Sequence, residues 1–259
     1  MIFPSYVFLL GFLPLMLLAW YKIKHLQTRL VVLTLASYLF YGWWDYRFVA
    51  LMFGSTVLDY YCGRKIVDAT TDSGRKFGLG LSLAGNLGAL GFFKYYDFFV
   101  ESATVAINSI GIEANAPLLH IILPIGISFY TFQSMSYSID IYRGDCKPTR
   151  DFVRFSAYVS MFPQLVAGPI VRYQDVHEQL ANLDTKVITD DEMAEGVSLF
   201  VMGMAKKIWI ADLLAPAANA AFDGGGDPPL LLAWTGALCY TFQLYFDFSG
   251  YSDMARGLG

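Results

Sequence analysis

The sequence has little charge and few cysteines or histidines. Only 15% of its 259 residues are charged, whereas a soluble domain carries about 25%. The net charge of −4 and the isoelectric point near 5.3 provide no basic face for nucleic acid. The cysteines Cys62, Cys146 and Cys239 are scattered and form no C-x-x-C pair. They predict neither a disulfide framework nor a zinc site, and no metal site is expected.

The sequence also lacks the short motifs of well-known catalytic sites. It contains no H-E-x-x-H, G-x-S-x-G, P-loop or G-x-G-x-x-G pattern. Of the three histidines, His25 lies in a basic segment, His120 near one end of an apolar run, and His177 in a polar segment. None is well placed for catalysis. Residue spacing alone therefore identifies no catalytic residue, and no bound cofactor is expected.

Apolar residues dominate what is present. Hydrophobic residues make up 56% of the chain, aromatic residues 17%, and the mean hydropathy is +0.45. This composition is typical of a membrane protein. We predict an all-α fold, a polytopic membrane helical bundle with short and re-entrant helices that forms a single membrane domain over residues 1–259.

Basic residues indicate the orientation of this bundle. The first apolar run, Tyr6–Trp20, has no basic segment before it and no small-x-small cleavage site after it, so it is not a cleavable signal. Lys22, Lys24 and Arg29 follow it, as is typical of a cytoplasmic loop. We therefore expect a multi-pass protein with its N-terminus outside. The predicted spans are Tyr6–Trp20, Leu30–Trp44, Phe48–Cys62, Phe77–Val100, Leu118–Ile141 and Leu230–Leu244.

Several segments between these spans have other expected roles. Glu101–Pro117 contains no lysine or arginine and is predicted as an outer loop, and Val171–Glu195 is polar and predicted cytoplasmic. Gly196–Phe222 is apolar but interrupted by two lysines, so it is either an interfacial helix or a tilted span. Gly224–Pro229 reads as a turn. Within Phe77–Val100, small residues recur every four positions and predict a close helix contact at Gly80, Ala84 and Gly88.

A polar stripe follows the segment Leu123–Gly144. Tyr130, Gln133, Tyr137 and Asp140 have the spacing i, i+3, i+7 and i+10, so they lie on one helical face. Two interpretations are open, hydrogen bonding between helices and the lining of a polar cavity. A comparable stripe at Tyr240, Gln243 and Asp247 favours the second. In Met161–Arg172, prolines and a glycine break an apolar run, which predicts a re-entrant loop beside the cavity or an interfacial elbow.

Two acids lie at or just beyond the end of the last predicted span. Asp247 and Asp253 belong to the segment Gln243–Met254, where nearly every neighbour is apolar or aromatic. A buried acid costs about 2.5–3.5 kcal/mol at the centre of a membrane helix, so such acids usually face a bundle interior or a wet cavity. We predict that the two stripes border one shared cavity. Its predicted lining residues are Tyr130, Gln133, Tyr137, Gln243, Asp247, Ser249, Tyr251 and Asp253.

Three long segments resemble consecutive signatures of the membrane-bound O-acyltransferase family. They are Leu123–Gly144, Met161–Tyr173 and Gln243–Gly259, and the aromatic segments Tyr41–Trp44 and Phe92–Phe99 also look like this family. Within it, the chain most resembles the membrane subunits of bacterial alginate O-acetylation, a branch related to the D-alanyl transferases of teichoic acid modification. The resemblance extends through essentially the whole chain.

The resemblance implies transfer of an acetyl group from a cytoplasmic thioester across the bacterial inner membrane to an exopolysaccharide such as alginate. It implies acetyl-CoA or another acyl thioester as donor, a polysaccharide acceptor, a periplasmic acetyltransferase partner, membrane lipid around the protein, and no nucleic acid. Gln243, Asp247, Ser249, Tyr251 and Asp253 resemble family positions beside the active-site funnel, where they would shape the cavity and orient a base.

The chain departs from the family in one respect. The family's catalytic histidine lies in a downstream Trp- and His-rich motif that nothing here matches, so the chain resembles the N-terminal half of such an enzyme, incomplete at its C-terminus. We expect it to be inactive in acyl transfer alone. A non-catalytic membrane scaffold that docks a partner and a small-molecule transporter remain as alternatives, although a transporter usually has two similar halves.

Overall fold

The computed structural model describes residues 1–113, 115, 117–166, 168–183, 188–223 and 229–259. All regular secondary structure in these residues is helical, which confirms the all-α prediction. The segment predicted as a turn at Gly224–Pro229 lies outside the described residues except for Pro229. The helices, in chain order, are a π-helical segment Val7–Phe12, α1 Leu13–Lys22, α2 Leu26–Gly42, α3 Arg47–Asp68, α4 Asp72–Ser109, α5 Ile127–Arg143, α6 Phe152–Ser160, α7 Tyr173–Ala181, α8 Asp190–Ala205, a second π-helical segment Lys206–Ala211, α9 Asp212–Phe222 and α10 Leu230–Leu258.

None of the described helices combines the length with the sustained apolar character that crossing a membrane requires. The predicted polytopic membrane architecture is therefore not confirmed, although the all-helical fold is. Four helices are longer than their predicted spans, namely α2 with 17 residues, α3 with 22, α4 with 38 and α10 with 29. Helix α4 continues through the first part of the predicted outer loop Glu101–Pro117 and ends at Ser109.

The chain groups into two compact units. The first contains residues 1–36, 161–169 and 182–259, and the second contains residues 37–160 and 170–181. Helix α2 contributes its first part to the first unit and its last part to the second. That residues 1–259 form a single membrane domain stays a prediction.

The predicted span Leu118–Ile141 is wrong in its first part. Helix α5 begins only at Ile127, after Gly126 with a φ of 74°, a left-handed conformation that glycine adopts without strain. Before it, the backbone N–H groups of Leu119 and Ile121 donate to the carboxylate of Asp97 at 2.9 and 3.0 Å. A side chain of α4 therefore supplies the hydrogen bonds that a helix would have supplied. The break in Met161–Arg172 is confirmed in the described residues, where turns replace helix between α6 and α7.

Helices α8 and α10 of the first unit approach each other through facing glycines. A Cβ atom at Gly203 would lie 2.5 Å from the carbonyl oxygen of Gly250 and 2.7 Å from the backbone nitrogen of Met254. Seven residues earlier on α8, Gly196 faces Gly257, seven residues later on α10. The earlier glycine of α8 faces the later glycine of α10, so the two helices run antiparallel. Only residues without a side chain permit this backbone contact.

The predicted small-residue stripe of α4 makes no comparable contact. Gly80, Ala84 and Gly88 are exposed, and a Cβ atom at either glycine would meet nothing within 4 Å in the described structure. The glycines of α4 that do pack closely are Gly78, against Ile66, and Gly85, against Leu58. Both neighbours lie on α3. The four-residue period therefore predicted the wrong face of α4 as the close helix contact.

We expect Gly203→Ala to lower the free energy of unfolding by about 1–3 kcal/mol, because the added methyl group meets backbone atoms and the helices must separate. Gly80→Ala is the matched control. It should stabilise the protein by up to about 1 kcal/mol, because it only raises helix propensity. Denaturant unfolding followed by circular dichroism measures both, and equal effects of the two substitutions would contradict the packing described here.

Candidate functional site

Both acids predicted as site residues form ion pairs in the first unit. The Lys206 ammonium lies 2.5 Å from a carboxylate oxygen of Asp253, and the Lys207 ammonium lies 2.6 Å from one of Asp247. Lys207 also pairs with Asp212 at 2.8 Å. The partner of Asp253 is thus a lysine that lies 47 residues earlier in the chain.

Helical geometry explains why adjacent lysines reach different carboxylates. Asp247 and Asp253 are six positions apart, which corresponds to a net rotation of about 120° around α10, and consecutive residues of an α-helix are about 100° apart. Lys206 and Lys207 begin the π-helical segment Lys206–Ala211. Such segments are rare and occur frequently at functional sites. The two lysines therefore extend in different directions, as the two acids do.

The two ion pairs differ in their exposure to solvent. The Asp253 side chain is 17% exposed, and its partner Lys206 also donates to Ser249 Oγ at 3.2 Å. The Asp247 side chain is 50% exposed, and an exposed pair of this kind contributes only about 0–1 kcal/mol. Asp253 is therefore the more buried of the two acids and is held by its ion pair, whereas the side chain of Asp247 is more accessible.

The glycine contact between α8 and α10 brings this cluster together. Gly250 follows Ser249 directly, and a Cβ atom there would lie 3.1 Å from the backbone nitrogen of Lys207. Of the remaining predicted residues in this unit, Tyr251 stacks on Phe3 with ring centroids 4.7 Å apart. The side-chain amide oxygen of Gln243 (Oε1) is buried and accepts no hydrogen bond within the described part of the chain. Lys206 and Lys207 were seen in the sequence only as an interruption of an apolar run.

The predicted stripe of α5 lies in the second unit and is buried along its whole length. Tyr130, Gln133, Tyr137 and Asp140 are all at most 3% exposed. The Gln133 amide donates to the carbonyl oxygen of Tyr158 at 3.0 Å, and the Tyr137 hydroxyl accepts from the backbone N–H of Thr149 at 3.1 Å. The first contact joins α5 to α6 and fits the helix-bonding interpretation of the stripe, whereas Thr149 lies in the loop between these two helices. That the stripes of α5 and α10 share one cavity stays a prediction.

A further polar cluster in the second unit was not predicted. Asp59 on α3 is fully buried and accepts hydrogen bonds from Ser82 Oγ at 2.5 Å and from the Asn86 amide at 2.8 and 3.0 Å. Ser138 on α5 donates to the same carboxylate at 3.4 Å. Asn86 in turn accepts from Ser55 Oγ at 2.7 Å. Three helices are thus joined by one buried carboxylate whose hydrogen-bonding partners are all neutral.

The sequence contains a signal for this cluster. Each of the three helices carries two polar residues at the spacing i, i+4, a spacing that places them on the same face. The pairs are Ser55 with Asp59, Ser82 with Asn86, and Ser134 with Ser138. The predicted stripes of aromatic and acidic residues include none of these short side chains.

The chain is similar over its whole length to enzymes of polysaccharide O-acetylation. It is 48% identical to the probable alginate O-acetylase of Azotobacter vinelandii and 46% identical to that of Pseudomonas aeruginosa, in each case over 100% of this chain and 51% or 49% of the relative. It is 33% identical to the peptidoglycan O-acetyltransferase of Helicobacter pylori, again over 100% of this chain and 54% of the relative.

The chain thus spans about half the length of the curated relatives it matches. No protein-family profile matches it. The relatives nevertheless agree with the resemblance drawn from the segments Leu123–Gly144, Met161–Tyr173 and Gln243–Gly259. This similarity supports placing the chain beside the alginate O-acetylases, within the family that these segments resemble.

Proposed function

We propose that this chain acts in the O-acetylation of an exopolysaccharide such as alginate. The observation that carries the proposal is 48% identity, along the entire chain, to a probable alginate O-acetylase. The acetyl group would come from acetyl-CoA or another cytoplasmic thioester and would pass across the bacterial inner membrane to a periplasmic acetyltransferase partner. These donor and partner assignments rest on the family resemblance.

The cluster on α10 has the chemistry that such a site needs around its base. Transfer of an acyl group to a hydroxyl requires a base about 2.6–3.2 Å from the attacking oxygen, and that base must be oriented by its neighbours. Asp253 is held by Lys206, while Asp247 remains half exposed. We assign both acids, with Gln243, Ser249 and Tyr251, to shaping and orienting roles in this site. The base itself remains unassigned.

Apolar surface on the same helix supports residence in a membrane. Leu230, Leu231, Trp234 and Tyr245 of α10 are each more than 60% exposed. Large apolar side chains in contact with water are costly, whereas lipid accommodates them. We propose that membrane lipid covers this surface. Two groups of basic residues would lie on the cytoplasmic side, the first with Lys22, Lys24 and Arg29 and the second with Arg64, Lys65, Arg75 and Lys76.

A chimera tests the activity. Replacing the matching segment of the Azotobacter vinelandii relative by this chain should restore alginate acetylation to a strain that lacks the relative. In that chimera, Lys206→Met should reduce acetylation at least about tenfold, because Asp253 loses its charged partner. Lys76→Met is the matched control, since Lys76 forms only an exposed pair with Asp72, and it should leave acetylation unchanged. A folded, membrane-inserted chimera without activity would contradict the proposed function.

The chain of 259 residues alone is expected to show no acetyl transfer, because none of its three histidines lies in the α10 cluster. Purified chain would be incubated with acetyl-CoA and alginate, and acetyl ester would be quantified. Turnover that Asp247→Asn abolishes would show that Asp247 is itself the base, and this outcome would overturn the orienting role assigned to it.

Cysteine labelling tests the orientation. The three native cysteines would first be replaced by serine. A cysteine at Glu113 should then react with an impermeant maleimide in intact spheroplasts, and one at Arg75 should react only after lysis. Labelling of the Arg75 position in sealed cells would reverse the proposed topology.

A further inference from the structure

A groove of about 270 Å³ lies between helices α3, α4 and α5 of the second unit. Small residues leave the space open, namely Ala50 and Gly54 on α3 and Ala89 on α4. Leucine and isoleucine side chains form the rest of its apolar lining. A cavity of about 150 Å³ is known to bind benzene, so this groove has room for roughly ten non-hydrogen atoms.

One part of the groove is polar and buried. Asn86, Tyr130 and Thr131 line it and are each 2% exposed. The buried hydroxyls of Tyr130 and Tyr41 interact with each other, and a single bond between two hydroxyls leaves one O–H donor without a partner in the described part of the chain. Buried polar groups in proteins almost always have a partner. The groove therefore has hydrogen-bonding capacity that a bound polar group can satisfy.

The lining of the groove selects against anions, because its described residues include no lysine or arginine. The Asn86 amide, which lies at the polar part, already donates to both oxygens of the buried Asp59 side chain. A carboxylate or phosphate brought beside Asn86 would therefore be buried without a cationic partner, which is costly. A neutral hydroxyl group avoids this cost and can both donate and accept a hydrogen bond.

We propose that this groove is a binding site for a neutral amphiphile, a single alkyl chain of about eight carbons that ends in a hydroxyl group. The chain lies along the leucine, isoleucine and small residues of the groove. The hydroxyl group lies at the polar part beside Asn86 and Tyr130. This site is separate from the acetylation function proposed above and does not depend on it.

Photolabelling with a diazirine derivative of 1-octanol tests the site in lipid nanodiscs. Labelled peptides identified by mass spectrometry should come from the groove-lining parts of α3, α4 and α5. Ala89→Leu fills the groove and should lower this labelling about tenfold. Ala84→Leu is the matched control, because Ala84 is exposed on the same helix and does not line the groove. Labelling spread evenly over exposed apolar helices, and equal in both variants, would overturn the proposal.

Competition in the unmodified protein tests the selectivity without any variant. Unlabelled 1-octanol should displace the probe at a concentration at least about tenfold lower than octanoate. The difference is expected because the described lining of the groove provides no cationic partner for the octanoate carboxylate. Equal displacement by 1-octanol and octanoate in the unmodified protein would show that the groove does not select a neutral head group and would overturn the proposal.

Discussion

The arrangement of the α10 cluster depends on backbone contact between two helices. Gly203 and Gly250 leave no side chain between α8 and α10, so the start of the π-helical segment lies directly against the acidic end of α10. Lys206 then reaches Asp253, and Lys207 reaches Asp247. Any side chain at the glycine contact would separate the helices and lengthen both ion pairs. The electrostatics of the site are thus a consequence of packing.

The buried acid of the second unit, Asp59, also depends on close packing of helices, but its hydrogen-bonding partners are neutral. Asp59 has no lysine or arginine among its hydrogen-bonding partners and relies on Ser82, Asn86 and Ser138 from two other helices. A buried carboxylate is costly unless its hydrogen bonds are satisfied. The two units therefore stabilise their acids differently, one by ion pairs that remain partly exposed and the other by a fully buried network.

The sequence predicted the helical class, the broken segment before α7 and the shared face of the α5 stripe. Each of these predictions rests on residues that are close together in the chain, either a helical spacing of similar side chains or a proline that interrupts an apolar run. It failed where distant residues decide the outcome. Asp97 hydrogen-bonds the backbone at Leu119 and Ile121, so α5 begins nine residues later than the apolar run suggests. The pairing of Lys206 with Asp253 spans 47 residues and leaves no periodic trace in the sequence.

A double-mutant cycle between Lys206 and Asp253 measures most directly whether the α8–α10 contact builds the site. Lys206→Met, Asp253→Asn and the double substitution would be compared by their free energies of unfolding. The account predicts a coupling energy of about 1–3 kcal/mol, because the pair is short and its acid is largely buried. Effects that add to within about 0.5 kcal/mol would contradict it.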